Sequence, residues 1–275
     1  MNDDIGSTHY RSVFLSDIHL GTRGCQAELL LDFLRHMTCD RLYLVGDIVD
    51  GWKMKGGWHW PQSHNDVIQK LLRAGRKGTR IIYIPGNHDE LLADYFGDYG
   101  NITVQKRAIH TTADGVKQLV IHGHELDTVV QNARWLAYIG DVGYQFLLHL
   151  NRPLNFFRRI FGLGYWSLSA YAKRTVKGAV NYVGKFEEAI VRYAKDDDVS
   201  GVVCGHIHAP LIRSIGEVTY YNCGDWVESC SALVEHASGR MELLTNLHTP
   251  SRIIPIVPTA SIEEFEEVGR RFQSR

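Results

Sequence analysis

Five short clusters of acidic, amide and imidazole side chains recur along the chain, each at the end of an apolar run. The clusters are Asp17-Ile18-His19, Gly46-Asp47, Gly86-Asn87-His88-Asp89, His122-Gly123-His124 and Gly205-His206-Ile207-His208. Oxygen and imidazole donors of these types suit Mn, Fe, Zn or Mg rather than soft metals. Six or seven donors exceed what one ordinary metal takes from a protein, so the clusters predict a site for two cations. Two neighbouring cations can hold a phosphoryl group and activate a water.

The apolar runs that precede these clusters predict the strands that must position them. Strands are predicted at 12–17, 41–47 and 80–87, and helical spacing at 26–37 and 64–78 lies between them. This alternation predicts a mainly parallel sheet with helices packed on it. Ligands of such sheets bind outside the carboxyl ends of the strands. The clusters are therefore expected to meet in one site.

The second half of the chain has a different pattern. A hairpin is predicted over 106–123, strands at 200–208 and 218–226, and a second hairpin over 231–244. These elements predict a second, antiparallel-rich sheet packed face to face with the first. The domain organisation predicted is a core at 1–124 and 197–246, an insertion at 125–196 and a C-terminal tail at 247–275.

Composition and charge exclude several classes of protein. With 44% hydrophobic residues in 275, the chain can bury a full core, which argues against global disorder. The net charge of −1 indicates no polyanionic partner. Residues 131–185, however, hold eight Lys or Arg and one acid, so this segment carries +7 and the rest −8. Five cysteines without a CxxC pair indicate a reduced, cytoplasmic setting, and no apolar run predicts a membrane-spanning helix.

The order of the motifs D-x-H, G-D-x-x-D, G-N-H-D, H-G and G-H-x-H, between residues 17 and 208, resembles the calcineurin-like metallophosphoesterase family. The resemblance implies a four-layer α/β/β/α sandwich with a dinuclear metal centre. It implies that one metal is bound by Asp17, His19 and His208. It implies that the other is bound by Asn87, His122 and His206, with Asp47 bridging the two.

The same resemblance gives roles to the neighbouring residues. His88 would lie beside the substrate phosphate, where it stabilises charge or protonates the leaving oxygen. Asp89 would orient His88, or would serve only as a turn residue. Asp50 is interpreted either as an outer carboxylate of the site or as a helix N-cap. His124 would face the substrate or solvent.

The insertion is the distinctive part of the sequence. Residues 151–168 mix arginines with aromatic residues, and 174–195 have the spacing of an amphipathic helix. Apolar anchors among basic residues are typical of contacts with acyl chains or anionic lipids. The substrate-binding candidates of this segment are Phe157, Arg158, Arg159 and Trp166. The alternative is that the helix merely packs on the core.

With this insertion the chain resembles the UDP-2,3-diacylglucosamine pyrophosphatase group of lipid A synthesis. The resemblance implies a helical lid, UMP and a lipid sugar phosphate as products, and peripheral contact with the inner membrane. Two features depart from the group: His88 stands where its members usually have Arg, and H-G-H-E at 122–125 replaces the usual H-G-D. These departures suggest a divergent paralogue that acts on another lipid or nucleotide-sugar diphosphate.

Two other functions fit parts of the pattern. A nuclease or cyclic-nucleotide phosphodiesterase would use the basic insertion to contact phosphates, and its binding would weaken steeply with salt. The bulky apolar residues among the basic ones disfavour nucleic acid. A scaffold protein of the same fold would not need seven metal ligands. The expected cofactors are two divalent cations, with Mn²⁺ first and Fe, Zn or Mg as alternatives; the sequence leaves the oligomeric state open.

Overall fold

The computed structural model describes residues 7–53, 57, 59–126, 187–245 and 247. Most of the predicted insertion and nearly all of the predicted tail lie outside the described residues. The lid interpretation and the substrate-binding candidates Phe157, Arg158, Arg159 and Trp166 therefore concern residues that the structure does not describe.

The strands in chain order are β1 (Thr8–Leu15), β2 (Met37–Val45), β3 (Arg80–Ile84), β4 (Gly97–Tyr99), β5 (Ile102–Val104), β6 (Ala108–Thr111), β7 (Lys117–Val120), β8 (Gly201–Cys204), β9 (Leu211–Ile215), β10 (Val218–Asn222), β11 (Ala232–Glu235) and β12 (Met241–Leu244). One sheet has the order β12-β11-β1-β2-β3-β5-β4, and the other has the order β6-β7-β8-β10-β9. The mixed α/β class with two sheets is the predicted one.

Parallel pairing brings the motif-bearing strand ends together. In the first sheet β1 pairs with β2 and β2 with β3 in parallel, so their carboxyl ends lie at one edge. In the second sheet β7 and β8 are also parallel neighbours. The hairpins β6-β7 and β11-β12 are antiparallel, as the sequence predicts. The edge strands β4 and β9, and β5 between β3 and β4, were not predicted.

The helices lie on the outer faces of the sheets. They are α1 (Ala27–Arg35), α2 (Gln62–Arg76) and a helix over residues 187–196, with 3₁₀ turns at Glu90–Tyr95 and His124–Leu126. The helix predicted at 26–37 extends too far, because Met37 already belongs to β2. The first residues of β2 alternate between buried and exposed side chains, which is the period of a strand and not of a helix.

Three buried clusters form the core. Leu30 of α1 and Val67 of α2 pack on one face of the first sheet. Phe14 of β1 and Val203 of β8 belong to a cluster between the two sheets. Ile190 of the helix over 187–196 packs on the other face of the second sheet. The sheets thus face each other, and the loops at their carboxyl ends share one end of the molecule.

Candidate metal centre

The predicted ligands fall into adjoining groups of donor atoms. Among the described residues, three sets of side chains offer ligand atoms that lie within 4.8 Å of one another. The sets are Asp17-His19-His208, Asp47-His122-His206 and His19-Asp47-His88. The third set joins the first two, because it takes His19 from one and Asp47 from the other. The structure therefore brings together six of the seven side chains that the resemblance implied as ligands.

Asp47 occupies the middle of this arrangement. Its Oδ2 atom lies 3.4 Å from Nε2 of His122 and 3.9 Å from Nε2 of His19. On the side of the first set, Oδ1 of Asp17 lies 3.0 Å from Nε2 of His208. A carboxylate between two groups of imidazoles has the position that a ligand shared by two cations needs.

Asn87 is the seventh predicted ligand, and its carbonyl oxygen is available. The Oδ1 atom is buried and has no hydrogen-bond partner among the described residues. The next residue, His88, donates its backbone N–H to Oδ1 of Asp47 at 2.8 Å, so Asn87 lies beside the central carboxylate. A buried amide oxygen without a donor is costly unless something else binds it. A cation would satisfy it.

The backbone at the strand ends is strained where the ligands are. Seven described residues other than glycine have positive φ, and five of them belong to the site. Those five are Asp17 (50°), His19 (53°), Asp47 (54°), His206 (67°) and His208 (53°). The left-handed region costs free energy for residues with a Cβ, and it persists only where the surroundings impose it. The chain thus turns sharply after β1, β2 and β8 to direct these side chains into the site.

Two glycines of the motifs allow the loops to approach this closely. A Cβ at Gly205 would overlap Ser16 Oγ and the carboxylate of Asp17, and one at Gly86 would overlap Oδ1 of Asp47. The glycines of G-N-H-D and G-H-x-H are required by this contact between loops, since no larger residue fits.

Contacts at the second ring nitrogen orient two of the histidines. Nδ1 of His122 lies 2.9 Å from the carbonyl oxygen of Val45 and donates to it, which leaves Nε2 directed at Asp47. Nδ1 of His19 lies 3.3 Å from Oδ2 of Asp50, and the buried Asp50 thus acts as an outer carboxylate. Partners of this kind fix the tautomer of a metal-binding histidine and raise its basicity. This geometry supports the outer-carboxylate interpretation of Asp50.

Asp225 lies behind His208, a position that was not predicted. Its carboxylate is fully buried, and Oδ2 lies 3.8 Å from Nδ1 of His208. Oδ1 accepts hydrogen bonds from the backbone N–H groups of Val227 and Glu228. The sequence signal was weak: Gly224-Asp225 lies one residue beyond the end of β10, whereas Gly46-Asp47 follows β2 directly.

Asp89 has a different position from the one expected. Its oxygens accept hydrogen bonds from the N–H of Gly86 (2.5 Å), the N–H of Ile48 (2.8 Å) and the hydroxyl of Tyr83 (2.5 Å). These contacts join the loops that follow β2 and β3. No contact between Asp89 and His88 is among those of the described residues, so the expectation that Asp89 orients His88 is corrected: Asp89 holds the loops.

His88 is oriented by Asp50. Its Nδ1 lies 3.1 Å from Oδ2 of Asp50, and its Nε2 lies 3.9 Å from Oδ2 of Asp47. The ring of His19 meets it edge-on at 4.8 Å, and the ring of Trp52 lies 4.0 Å away with its plane tilted by 31°. His88 therefore faces the centre with Nε2, in the position of a group that contacts a bound phosphate. The contact with Trp52 was not predicted.

His124 lies beside the second set of ligands. Its ring centroid is 5.5 Å from that of His122 and 6.4 Å from that of His206. The side chain remains partly exposed, and Nδ1 is 3.7 Å from the carboxylate of Glu125. The structure thus places His124 at the margin of the site, where a substrate could reach it.

The electrostatics of the cluster favour positive charge. Burial alone would lower the pKa of His122, but the contact of its ring with the accepting carboxylate of Asp47 and the charges of Asp17 and Asp47 raise it to about 9. Burial raises the pKa of Asp47, yet the hydrogen bond and charge of His122 outweigh it, and the net pKa lies well below its ordinary value. Two buried carboxylates that have no lysine or arginine partner among the described residues attract cations. The donor set of carboxylates, imidazoles and one amide fits divalent first-row metals.

The described part of the chain has no helix with the length and apolar character needed to cross a membrane.

Comparison with known proteins points to one family. The model of the calcineurin-like phosphoesterase family matches residues 10–210. The UDP-2,3-diacylglucosamine hydrolase of Chromohalobacter salexigens is 26% identical over 218 residues, which cover 74% of this chain and 81% of that protein. The enzyme of the same name from Shewanella halifaxensis is 20% identical over 229 residues, covering 81% and 93%.

Among solved structures, an archaeal phosphodiesterase is similar with a TM-score of 0.42 and 12% identity, covering 85% of this chain and 98% of that one. This similarity is too low to carry an argument. The family match spans most of the chain and includes every strand end that bears a ligand, up to His208. On this evidence the chain belongs to the calcineurin-like phosphoesterase family and is a phosphoester hydrolase.

Proposed function

We propose that the protein uses two divalent cations to hydrolyse the diphosphate of a lipid-linked nucleotide sugar. The substrate would be UDP-2,3-diacylglucosamine or a close analogue, and the products UMP and a lipid sugar phosphate. The observation that carries the proposal is the pair of donor sets joined through Asp47. One set alone would suit a mononuclear site, whereas two sets that share a carboxylate suit two cations.

The ligand assignment follows the two sets. Asp17, His19 and His208 would hold one cation. Asn87, His122 and His206 would hold the other, and Asp47 would contact both. Mn²⁺ is the cation we propose, because oxygen and imidazole donors in similar numbers suit it well.

The residues of the site would have different roles in hydrolysis. When bound, the two cations would neutralise the phosphoryl oxygens and activate a water. Nδ1 of His88 lies 3.1 Å from the carboxylate of Asp50, so Nε2 would be the atom that donates a proton or a hydrogen bond to the leaving oxygen. His124, at the margin, is placed to donate a hydrogen bond to a phosphate oxygen. Asp50, Asp89 and Asp225 hold the histidines and loops in position.

The substrate part of the proposal is supported by the relatives and by the insertion. The curated relatives at 20% and 26% identity carry the name UDP-2,3-diacylglucosamine hydrolase. Residues 131–185 carry +7 and mix arginines with aromatic residues, which suits an anionic substrate with apolar chains and peripheral contact with an anionic membrane. His88 stands where the group usually has Arg. The proposal therefore includes a related lipid-linked diphosphate as an alternative substrate to UDP-2,3-diacylglucosamine.

The test is direct hydrolysis. Protein loaded with Mn²⁺ is incubated with UDP-2,3-diacylglucosamine, and UMP and the lipid sugar phosphate are measured by mass spectrometry. We expect both products in equal amounts from the wild type and neither from Asp47→Asn. Hydrolysis of bis(p-nitrophenyl) phosphate without release of UMP would refute the substrate class and leave the phosphoesterase assignment in place.

A further inference from the structure

The candidate ligand His19 begins a tight turn over residues 19–22. Its carbonyl oxygen accepts hydrogen bonds from the N–H (3.2 Å) and the hydroxyl (2.9 Å) of Thr22. His19 has a φ of 53°, and Gly21, two residues later, has a φ of 103°. A residue with a Cβ stays in the left-handed region only where its surroundings hold it there. The contacts of this turn therefore determine whether His19 keeps its direction into the site.

The loop after β2 holds one side of the turn. The N–H of Leu20 donates to the carbonyl oxygen of Ile48 at 2.9 Å. The carbonyl oxygen of Leu20 accepts from the N–H of Asp50 at 2.8 Å. Both backbone groups of Leu20 are thus bound by neighbours of Asp47, within the site itself. Gly21, the next residue, is bound from a different part of the fold.

Helix α2 and the residues before it bind Gly21. His64 is the third residue of α2, and its Nδ1 accepts a hydrogen bond from the N–H of Gly21 at 3.1 Å. Before the helix, the N–H of His59 donates to the carbonyl oxygen of Gly21 at 3.2 Å. Gly21 and the side chain of His64 are both buried. Loss of the acceptor would leave a buried N–H without a partner, which destabilises this position of the turn.

The surroundings of His64 keep its ring neutral, as an acceptor must be. Burial and the ring of His59, whose centroid lies 6.1 Å away, lower the pKa of His64. The residue also lies in the first turn of α2, where the helix dipole disfavours a cation. At neutral pH the ring proton is therefore on Nε2, and Nδ1 accepts from Gly21.

We propose that His64 is a positioning residue of the metal centre, which acts on His19 through Gly21. His64 belongs to none of the donor sets found among the described residues, and its Nδ1 is directed at a backbone N–H. The inference rests on the proposed function, because His19 would hold one of the two cations. Loss of the acceptor should weaken the cation held by Asp17, His19 and His208 and spare the other one.

Cation binding by four variants tests the inference. Each protein is titrated with Mn²⁺ in competition with a fluorescent chelator, and the bound metal is counted by mass spectrometry. His64→Ala and His64→Leu, which lack an acceptor, should bind one of the two cations about tenfold more weakly, as expected for loss of an outer partner. His64→Asn brings Oδ1 near the position of Nδ1 and should keep the wild-type affinity. Val67→Ala, a buried change one turn along the same helix, should lower the melting temperature and leave both affinities unchanged.

Exchange of the Gly21 amide with deuterium is a second readout, and it does not depend on bound metal. It is followed by NMR in the metal-free protein. The amide should exchange about tenfold faster in His64→Ala and His64→Leu than in the wild type, because its hydrogen bond is lost. In His64→Asn and Val67→Ala the exchange should remain slow.

The outcomes separate the inference from the function on which it rests. Wild-type cation affinity in both His64→Ala and His64→Leu overturns the inference and leaves the proposed function standing. An equal loss of affinity in His64→Asn or in Val67→Ala also overturns it, because the effect would then not come from the acceptor. A wild-type protein that binds a single cation removes the proposed function. The affinity for that cation and the exchange of the Gly21 amide then still decide whether His64 holds the turn.

Discussion

Two buried clusters of histidine and carboxylate differ in how their polar atoms are satisfied. In the metal centre, Asn87 Oδ1 has no hydrogen-bond partner among the described residues. In the second cluster, between the sheets, both oxygens of Glu235 are satisfied. They contact Arg11 (2.5 Å), Ser12 (2.7 Å), His110 (2.9 Å) and the N–H of Ala113 (2.8 Å).

The backbone shows the same contrast. Five candidate ligands of the candidate metal centre have positive φ, whereas none of the residues around Glu235 does. Buried histidines and acids thus occur in two different settings. In the candidate metal centre the backbone is strained and a buried amide oxygen has no hydrogen-bond partner among the described residues. In the Glu235 cluster neither feature is found. The two clusters are alike in burial and in residue type. They differ in backbone strain and in the presence of a buried oxygen without a hydrogen-bond partner. The first cluster can bind a ligand, and the second stabilises the packing of the sheets.

The largest effect is expected from Asp47→Asn. This change removes the charge at the junction of the two donor sets while keeping the shape of the side chain. We expect turnover of bis(p-nitrophenyl) phosphate to fall by about 10³-fold or more, with loss of bound metal. The metal content is measured by mass spectrometry and the fold by circular dichroism. Asp40→Asn, an exposed change on the same strand, should keep full activity; wild-type turnover in Asp47→Asn would contradict the shared-ligand assignment.

His88→Ala tests whether contact with the substrate can be separated from metal binding. Because His88 is oriented by Asp50 and faces the centre with Nε2, we expect kcat to fall on the order of 10²-fold. The bound metal should remain at the wild-type amount. The exposed His36→Ala serves as the control. If metal content falls together with kcat, His88 is itself a ligand, as its place in one donor set would allow.

Asp225→Asn should have a smaller effect, on metal affinity. The loss of the negative charge behind His208 weakens that ligand, and outer partners of this kind are worth about 10–100-fold in affinity. Competition with a fluorescent chelator measures the change. Ser229→Ala removes a contact to Asp225 at 3.2 Å and leaves the carboxylate in place. Equal losses in both variants would mean that the loop, and not the charge, supports the site.

The sequence predicted most of the centre because its ligands are direct neighbours of buried strands. Once β1, β2 and β3 are parallel, Asp17, Asp47 and Asn87 must meet at one edge. Asp225 and Trp52 were missed for another reason. Their roles depend on the path of loops that connect residues far apart in sequence, such as Asp225 with His208. Strand periodicity contains no information on these contacts.

The errors in the predicted helices and strands also have physical causes. The helix predicted at 26–37 ran into β2 because Met37 fits an apolar position of either period. The strands β4 and β5 have three residues each, too few to show alternation. Asp89 follows His88 directly, which suggested a contact between them, yet the turn directs its carboxylate toward Gly86 and Ile48. Two residues that are adjacent in sequence therefore need not contact each other where the backbone reverses direction.

The smallest effect is expected in the second cluster, and it concerns stability alone. Burial raises the pKa of Glu235, but hydrogen bonds from His110, Ser12 and Ala113 outweigh it and lower the pKa to about 2. A carboxyl group with a lowered pKa in the folded state stabilises the protein above its unfolded pKa of about 4.5. That contribution is lost as the pH falls from about 4.5 toward 2. The low pKa thus predicts both a stability loss on substitution and a changed response to acid.

Glu235→Gln should therefore lower the free energy of unfolding by roughly 1–2 kcal/mol at pH 7, with kcat per folded molecule unchanged. Urea titrations at pH 7, 4.5 and 3 measure the effect, and the gap between variant and wild type should narrow as the pH falls. Glu242→Gln, which changes a more exposed carboxylate, should cost less. A fall in kcat or in bound metal in Glu235→Gln would show that the two clusters are coupled, and the contrast between a strained binding site and a satisfied structural network would then fail.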